Sequence, residues 1–339
     1  MWNDSSPIGG KREKLYNQEG WSNHPRTQLV DSPNDADLIV WVTTRGNTEA
    51  EIPPRNYSNI PVVLLDYADG CSLHQKRGEI LNLWGYFKRS FVERKEGLYI
   101  KNCSLTKEEN VHPLAYSGAK AIMNYNISKP RKYLITNVLR TESNHNKGRA
   151  KIVNWTKAFI KKHGLEDESY VGGDIGTGYS ASDWDKTYMN HLANSKVIVT
   201  ANPWKWEGDF RLWESLASGA MVMVDHMKIF DFMPDTLEDK KHLVFYNSSN
   251  LTEFEELLEY YVHHEEEARI IGEAGYRFVM EHHMTTDRVT YILDTLESKK
   301  LHVENEEKRQ RIEDKGIASA FVSASSQNSA DWESNDSGK

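Results

Sequence analysis

The sequence predicts an α/β fold built on two doubly wound parallel sheets, a small one in the N-terminal half and a complete one after it. Three observations predict it. Short, continuously apolar runs rich in β-branched residues recur in the first half, as expected of strands covered on both faces. A proline-marked break follows at Asn126–Arg131. Beyond it, strand patterns alternate clearly with helical ones, the signature of a parallel sheet wound by helices.

The elements follow in order. The first thirty or so residues are polar and read as irregular. Strands are predicted at Ala36–Thr43, Ile60–Asp66, Trp84–Ser90 and, briefly, Val111–Tyr116. After the break, Arg131–Leu139 reads as a strand. Gly148–His163 reads as a helix, because Ile152, Trp155, Phe159 and Ile160 fall near one face. A weak strand at Ser169–Gly172, a helix at Asp183–Ser195 and a strand at Lys196–Thr200 come next. A helix at Asp209–Ser218 stops at Gly219, and strands at Ala220–Asp225 and His242–Tyr246 complete the sheet. Helices at Leu251–His263, Glu265–His282 and Thr286–Lys299 close the second half. The domains expected are thus 1–128 and 129–300. Residues 301–339, charged and then rich in Ser, Ala, Asn and Asp, read as a disordered tail.

Composition narrows the function. The net charge of −8 argues against a nucleic-acid partner. The run Lys147, Arg149, Lys151, Lys157, Lys161 and Lys162 reads as the solvated face of a helix. Two cysteines, Cys71 and Cys103, do not make a disulfide framework and read as reduced thiols. With no leader pattern and no spanning stretch, the sequence predicts a cytoplasmic protein without a transmembrane segment. Nothing in it indicates the oligomeric state.

The chemistry concentrates in Glu207-Gly-Asp-Phe-Arg-Leu-Trp-Glu214. Gly208 at the mouth of a helix lets the backbone approach a ligand. The helix start at Asp209 offers free N–H groups and a partial positive charge to a phosphate. Arg211 adds a bidentate contact to a diphosphate. Glu214, one turn on, is placed to accept hydrogen bonds from a ribose diol. The same helix also buries Phe210, Leu212 and Trp213, and the two roles are compatible because one face packs while the other binds.

The run from Glu207 to Asp225 resembles the C-terminal donor domain of glycosyltransferases of the GT-B fold, which has two Rossmann-like domains. The likeness is nearest to the family 1-like, spore-maturation (CgeB)-type and exostosin-like groups, and it extends over about 131–298. The resemblance implies an enzyme that moves a hexosyl or pentosyl group from a nucleotide diphosphate sugar to a glycan or other hydroxyl acceptor. It requires no metal and no further cofactor. It also implies that Arg140, in the loop after the first strand of the donor domain, faces the phosphates, and that Tyr179 lies near the base. Many members carry two glutamates eight positions apart, but Glu207 and Glu214 are seven apart. That leaves Glu207 without a role and the choice between retention and inversion open.

An inverting transfer needs a base from the N-terminal half. Asp66 and Asp69, just past a strand end, are the candidates, with His24 and His112 behind them. Each aspartate could equally cap a turn. The segment Phe87-Lys88-Arg89 either presents positive charge to the cleft or merely flanks a strand.

Other signals weigh less. Asp183-Trp-Asp185 has metal-binding spacing, but Ser182 with Asp185 fits a capping box. Asp174–Ser180 is glycine-rich, as in S-adenosylmethionine-dependent methyltransferases, yet no strong strand precedes it. The pairs His263-His264 and His282-His283 read as helix-end residues that favour the dipole when charged. A non-catalytic nucleotide- or glycan-binding protein on the same scaffold is the alternative reading, with a methyltransferase behind it.

Overall fold

A computed structural model describes residues 11–43, 57, 59–68, 73–89, 111–120, 127–139, 141, 147–172, 186–202, 209–226 and 234–300. The first sheet holds four parallel strands in chain order: β1 (Ile39–Thr43), β2 (Val62–Asp66), β3 (Leu83–Lys88) and β4 (Val111–Pro113). Every residue of β2 is buried, which is why that strand reads as an unbroken apolar run. Ile39, Val62, Leu64, Leu73, Ile80 and Tyr86 form one core here.

The second sheet holds five parallel strands: β5 (Tyr133–Asn137), β6 (Ser169–Val171), β7 (Ser195–Val199), β8 (Met221–Asp225) and β9 (Val244–Tyr246). Their spatial order is β6-β5-β7-β8-β9. The chain therefore winds one way from β5 to β6 and the other way from β5 to β7. Between β5 and β7 lies the switch point where doubly wound sheets bind ligands. The fold is α/β with two Rossmann-like parallel sheets, as the sequence predicts. Both lie within one compact unit, Met1–Tyr291.

The helices are α1 (Lys11–Asn23), α2 (Lys147–His163), α3 (Lys186–Ala193), α4 (Phe210–Ala217), α5 (Leu251–His263), α6 (Glu265–His282) and α7 (285–300). α1 corrects the expectation of irregular chain at the start. Too few of its residues are apolar to show a period, yet Tyr16 and Trp21 are buried. Glu19 ties α1 down by accepting from the Lys120 N–H at 2.7 Å and the Thr285 hydroxyl at 3.0 Å.

Two glycines set how closely α6 approaches the sheet. A Cβ on Gly272 would stand 2.6 Å from the Gly219 carbonyl oxygen, and one on Gly275 would stand 2.2 Å from that of His242. The expected disordered tail, 301–339, lies outside the described residues, as do Cys71, Cys103, the Asp183-Trp-Asp185 triplet and the stretch 174–180.

The histidine pairs divide. His263 and His264 do end α5, and His282 ends α6. His283, however, is fully buried, and it is not a charged partner of the dipole. Its Nδ1 accepts from Arg288 at 2.8 Å, so Nε2 carries the proton and donates to the Asp235 carbonyl at 2.8 Å. Burial first, then the neighbouring Arg288 charge, push its pKa down to about 2, and the ring is neutral.

Candidate functional site

The site is built at the carboxyl ends of β7 and β8, where α2 and α4 begin. α4 starts on Asp209. Its backbone is extended and its Oδ1 accepts from the Arg211 N–H at 2.9 Å, the geometry of an N-cap. The Asp209 carbonyl accepts from the Leu212 N–H at 3.3 Å. Asp209 thus occupies donors at the helix start that the sequence alone leaves free for a phosphate.

What Asp209 supplies in return is cations. Its Oδ2 accepts from Arg211 Nη1 at 2.7 Å and also from Arg149 Nη2. Arg149 reaches over from the first turn of α2, and its Nε donates to the Ala201 carbonyl, just past β7, at 3.1 Å. Arg149 therefore spans the switch point from the β5 side to the β7 side. Burial alone would raise the Asp209 carboxyl, but Arg149 and then Arg211 outweigh it and hold the group below the usual carboxylate range. Burial lowers the Arg149 guanidinium despite that pairing. Arg149 is 6 % exposed, which corrects its reading as part of a solvated face. Lys151, Lys157, Lys161 and Lys162 are exposed, as expected.

Asn202 and Asp225 tie the ends of β7 and β8 together. The Asn202 N–H donates to Asp225 Oδ1 at 2.8 Å, and its side-chain amide donates to the Asp225 carbonyl and Oδ1, each at 3.1 Å. Burial pushes the Asp225 carboxyl up to about 6 against these hydrogen bonds.

Glu214 faces elsewhere on α4. It is fully buried, and Tyr188 of α3 donates to its Oε2 at 2.6 Å. The Tyr16 hydroxyl of α1 lies 3.5 Å from Oε1. At the other end of α4, Gly219 adopts φ +72, the left-handed conformation that ends helices. Arg131 donates to the Ser218 carbonyl at 2.8 Å there and to the Ser195 carbonyl at 2.7 Å.

Asp66 sits at the carboxyl end of the first sheet, and its surroundings are closed. It is 0 % exposed. Oδ1 accepts from the Ala68 N–H at 2.9 Å and from Lys88 Nζ at 3.2 Å, and Oδ2 accepts from the Tyr86 hydroxyl. Lys88 thus turns inward instead of presenting charge to a cleft, and it also donates to the Ala68 carbonyl at 2.8 Å. Arg89 lies 4.7 Å over the Tyr116 ring. From there an aromatic chain leads to α4: Tyr67 stacks on Tyr116, and Tyr116 stacks on Phe210 with ring centroids 3.6 Å apart.

Of the two remaining base candidates, His24 has both ring nitrogens engaged. Nδ1 accepts from the Arg26 N–H at 3.2 Å, and Nε2 meets Thr290 Oγ1 at 2.9 Å. His112 packs its ring against Phe87. Asp69, Arg140, Tyr179, Glu207 and Gly208 lie outside the described residues. Among the described residues, no group of three His, Cys, Asp or Glu is placed to hold a metal ion. No helix there is long and apolar enough to cross a membrane.

The structure therefore brings Asp209, Arg211 and the unforeseen Arg149 together, places Glu214 behind them, and puts Asp66 on the other sheet. A signal for Arg149 existed in the sequence. It falls on the same helical face as the buried Ile152, Val153 and Thr156, at i+3, i+4 and i+7.

A family model described as glycosyl transferase-like matches residues 154–294, a stretch that contains Asp209, Arg211 and Glu214. This part of the chain is similar to glycosyltransferases, as the run from Glu207 to Asp225 implies. None of the curated proteins matches the chain in sequence. Among solved structures, TarM of S. aureus, in complex with UDP and other ligands, aligns at 12% identity and TM-score 0.48 over 71% of this chain and 52% of its own. Anabaena HepE in complex with UDP and glucose aligns at 10% identity and TM-score 0.46 over 72% and 73%. An alpha-glucosyltransferase in complex with UDP-glucose and DNA aligns at 11% identity and TM-score 0.46 over 78% and 81%. The chain spans about half the length of TarM.

Proposed function

We propose that the chain is a glycosyltransferase of the GT-B fold, related to the family 1-like, CgeB-type or exostosin-like groups. On this reading residues 129–300 bind a nucleotide diphosphate sugar, residues 1–128 present a glycan or other hydroxyl acceptor, and no metal takes part. The observation that carries it is the convergence of Arg149 and Arg211 on the single carboxylate of Asp209. This happens at the switch point of the second sheet, beside and within the glycosyl transferase-like stretch. Two guanidinium groups gather there, of the kind that stabilises the negative charge a departing diphosphate develops.

In this mechanism Arg211, with Arg140 and the Gly208 backbone, steadies the diphosphate as the glycosidic bond breaks. Glu214, already oriented by Tyr188, receives the ribose diol, and Tyr179 flanks the base. Asp66 has its carboxylate taken up by Lys88, Tyr86 and the Ala68 N–H. We therefore assign Asp69 the acceptor proton, in an inverting transfer.

A thermal-shift panel of nucleoside diphosphates and their sugars tests the reading. A ligand at a hundredfold excess over its Kd stabilises by about 2.7 kcal/mol, and a clear rise in Tm is expected for one base. Arg211→Ala should abolish that rise while leaving the ligand-free Tm close to its starting value. No response to any nucleotide would sink the proposal. The closed environment of Asp66 favours a second reading, a binding protein that performs no transfer. Nucleotide release from sugar nucleotides, lost in Asp69→Asn, separates the two.

A further inference from the structure

Glu214 stands where two tyrosines from different helices meet. Tyr188 of α3 donates to its Oε2 at 2.6 Å, and the Tyr16 hydroxyl of α1 lies 3.5 Å from its Oε1. Glu214 is 0 % exposed, Tyr16 4 % and Tyr188 5 %. A ligand hydroxyl therefore reaches this carboxylate only where a neighbour gives way. Of the two tyrosines, Tyr16 is held there less firmly. Its contact lies beyond the ordinary O–H···O range of about 2.5–3.0 Å, whereas that of Tyr188 lies within it. The Tyr16 ring also covers more of α4 than Glu214 alone. Its centroid is 4.9 Å from that of Phe210, which stands one turn before Glu214 on the same helical face. The backbone of α1 is fixed a turn beyond Tyr16. Glu19 accepts from Lys120 and Thr285, and a Cβ on Gly20 would stand 2.8 Å from the Thr285 carbonyl oxygen. What can give way is thus the Tyr16 side chain and not the helix that carries it.

We propose that Tyr16 is a specificity-determining residue for the ribose of the donor nucleotide, a cover over Glu214 that swings aside before the ribose hydroxyls reach the carboxylate. The proposal rests on the nucleotide-sugar reading of this site. Its physical basis is a population argument. The closed arrangement, with Tyr16 over Oε1, is the more populated one, and only the open one receives the diol. A ligand that needs the open state binds more weakly by the fraction of time that state is present. A nucleotide without ribose hydroxyls has nothing to offer Glu214 and leaves Tyr16 in place. Tyr16 therefore lowers the affinity for ribonucleotides alone, and Tyr188 keeps the carboxylate oriented in both states.

Calorimetric titration of the full chain with UDP, GDP, ADP and CDP, and with the form of the tightest binder that lacks both ribose hydroxyls, tests this. Tyr16→Leu keeps an apolar side chain beside Phe210 but removes the cover. Its affinity for the ribonucleotide should rise on the order of tenfold, the gain expected where the open state is about a tenth of the population. Its affinity for the form without hydroxyls should stay unchanged. Tyr16→Phe loses only the hydroxyl and should show a smaller rise with the same selectivity, and it serves if the leucine variant folds poorly. Tyr188→Phe should act in the opposite direction and weaken ribonucleotide binding. In a Glu214→Leu background the further change Tyr16→Leu should bring no rise, because the carboxylate it uncovers is gone. A rise that persists there, or one equal for both nucleotides, would mean that Tyr16 acts on the ligand by some route other than Glu214, and would overturn the proposal. So would unchanged or weaker ribonucleotide binding in both Tyr16 variants. If the unaltered chain binds no nucleoside diphosphate, the nucleotide-sugar reading fails and this inference with it. Failure of the Tyr16 variants alone leaves that reading standing.

Discussion

Two aspartates end up buried at the carboxyl edges of the two sheets, and their fates differ. Asp66 meets one cation, Lys88, plus two neutral donors, Tyr86 and the Ala68 N–H. Its charge is matched and its oxygens are enclosed. Asp209 meets two cations, Arg149 and Arg211. Both carboxylates satisfy the rule that buried charge must be paired, but only the second gathers two guanidinium groups, and Asp225 acts on one of these as well. The number and kind of partners a carboxylate gathers, more than its burial, separates the two edges.

The most forceful way to break the comparison is to unbalance the first edge. Asp66→Asn takes the carboxylate away from Lys88 at 0 % exposure, and removing one partner of a buried ion pair costs about 3–5 kcal/mol. Urea unfolding should show that loss. The double change Asp66→Asn with Lys88→Met should restore most of it, since the buried ammonium is then gone together with its carboxylate. Equal losses in single and double variants would show that the pair contributes packing and not charge compensation.

A third carboxylate sharpens the point. Asp225 draws its hydrogen bonds from Asn202, a neutral partner, and burial pushes it up to about 6. An acid whose pKa is raised on folding is less costly to the folded state when protonated. Stability should therefore fall as pH rises from about 4 to about 6, and the full cost, roughly 2–3 kcal/mol, persists above that. Asp225→Asn keeps an oxygen for the Asn202 N–H but carries no charge. Its advantage over the unaltered chain should be absent near pH 4, grow to about pH 6, and then level off in unfolding titrations. A gap that does not change with pH would show that Asp225 ionises freely.

Much of this was legible in the sequence where a local pattern records it. The expected bounds of α5 and of α6 match the structure, because each has a clear apolar face and a polar break at its end. The strands of both sheets appear within a few residues of their expected places, since strands buried on both faces read as apolar runs. α1 was hidden by its polar composition, its place in the fold set by distant partners such as Lys120 and Thr285. The site divides in the same way. Asp209 and Arg211 sit in a recognisable helix start. The tyrosines on Glu214 come from 26 and 198 positions away, which no short motif registers. Arg149 was masked by its lysine neighbours, although its helical phase marked it as inward-facing.

Whether the two edges act on each other depends on the aromatic chain between them. Tyr116 stacks on Tyr67 at the first edge and on Phe210, the first residue of α4, with centroids 3.6 Å apart in the latter pair. Arg288 holds Tyr116 in place by donating to its carbonyl at 3.2 and 3.1 Å, so the ring is fixed at its backbone as well as its face. Such a stack contributes about 0.5–1.5 kcal/mol beyond the area it buries. The cycle Tyr116→Leu, Phe210→Leu and the double variant should show a coupling of about that size in unfolding free energy, the smallest effect expected here. If the stack also sets the start of α4, Tyr116→Leu should weaken nucleoside diphosphate binding though Tyr116 lies on the side of the first sheet. Coupling in stability with unchanged binding would make the chain a structural tie only, and the two edges would then be independent in function.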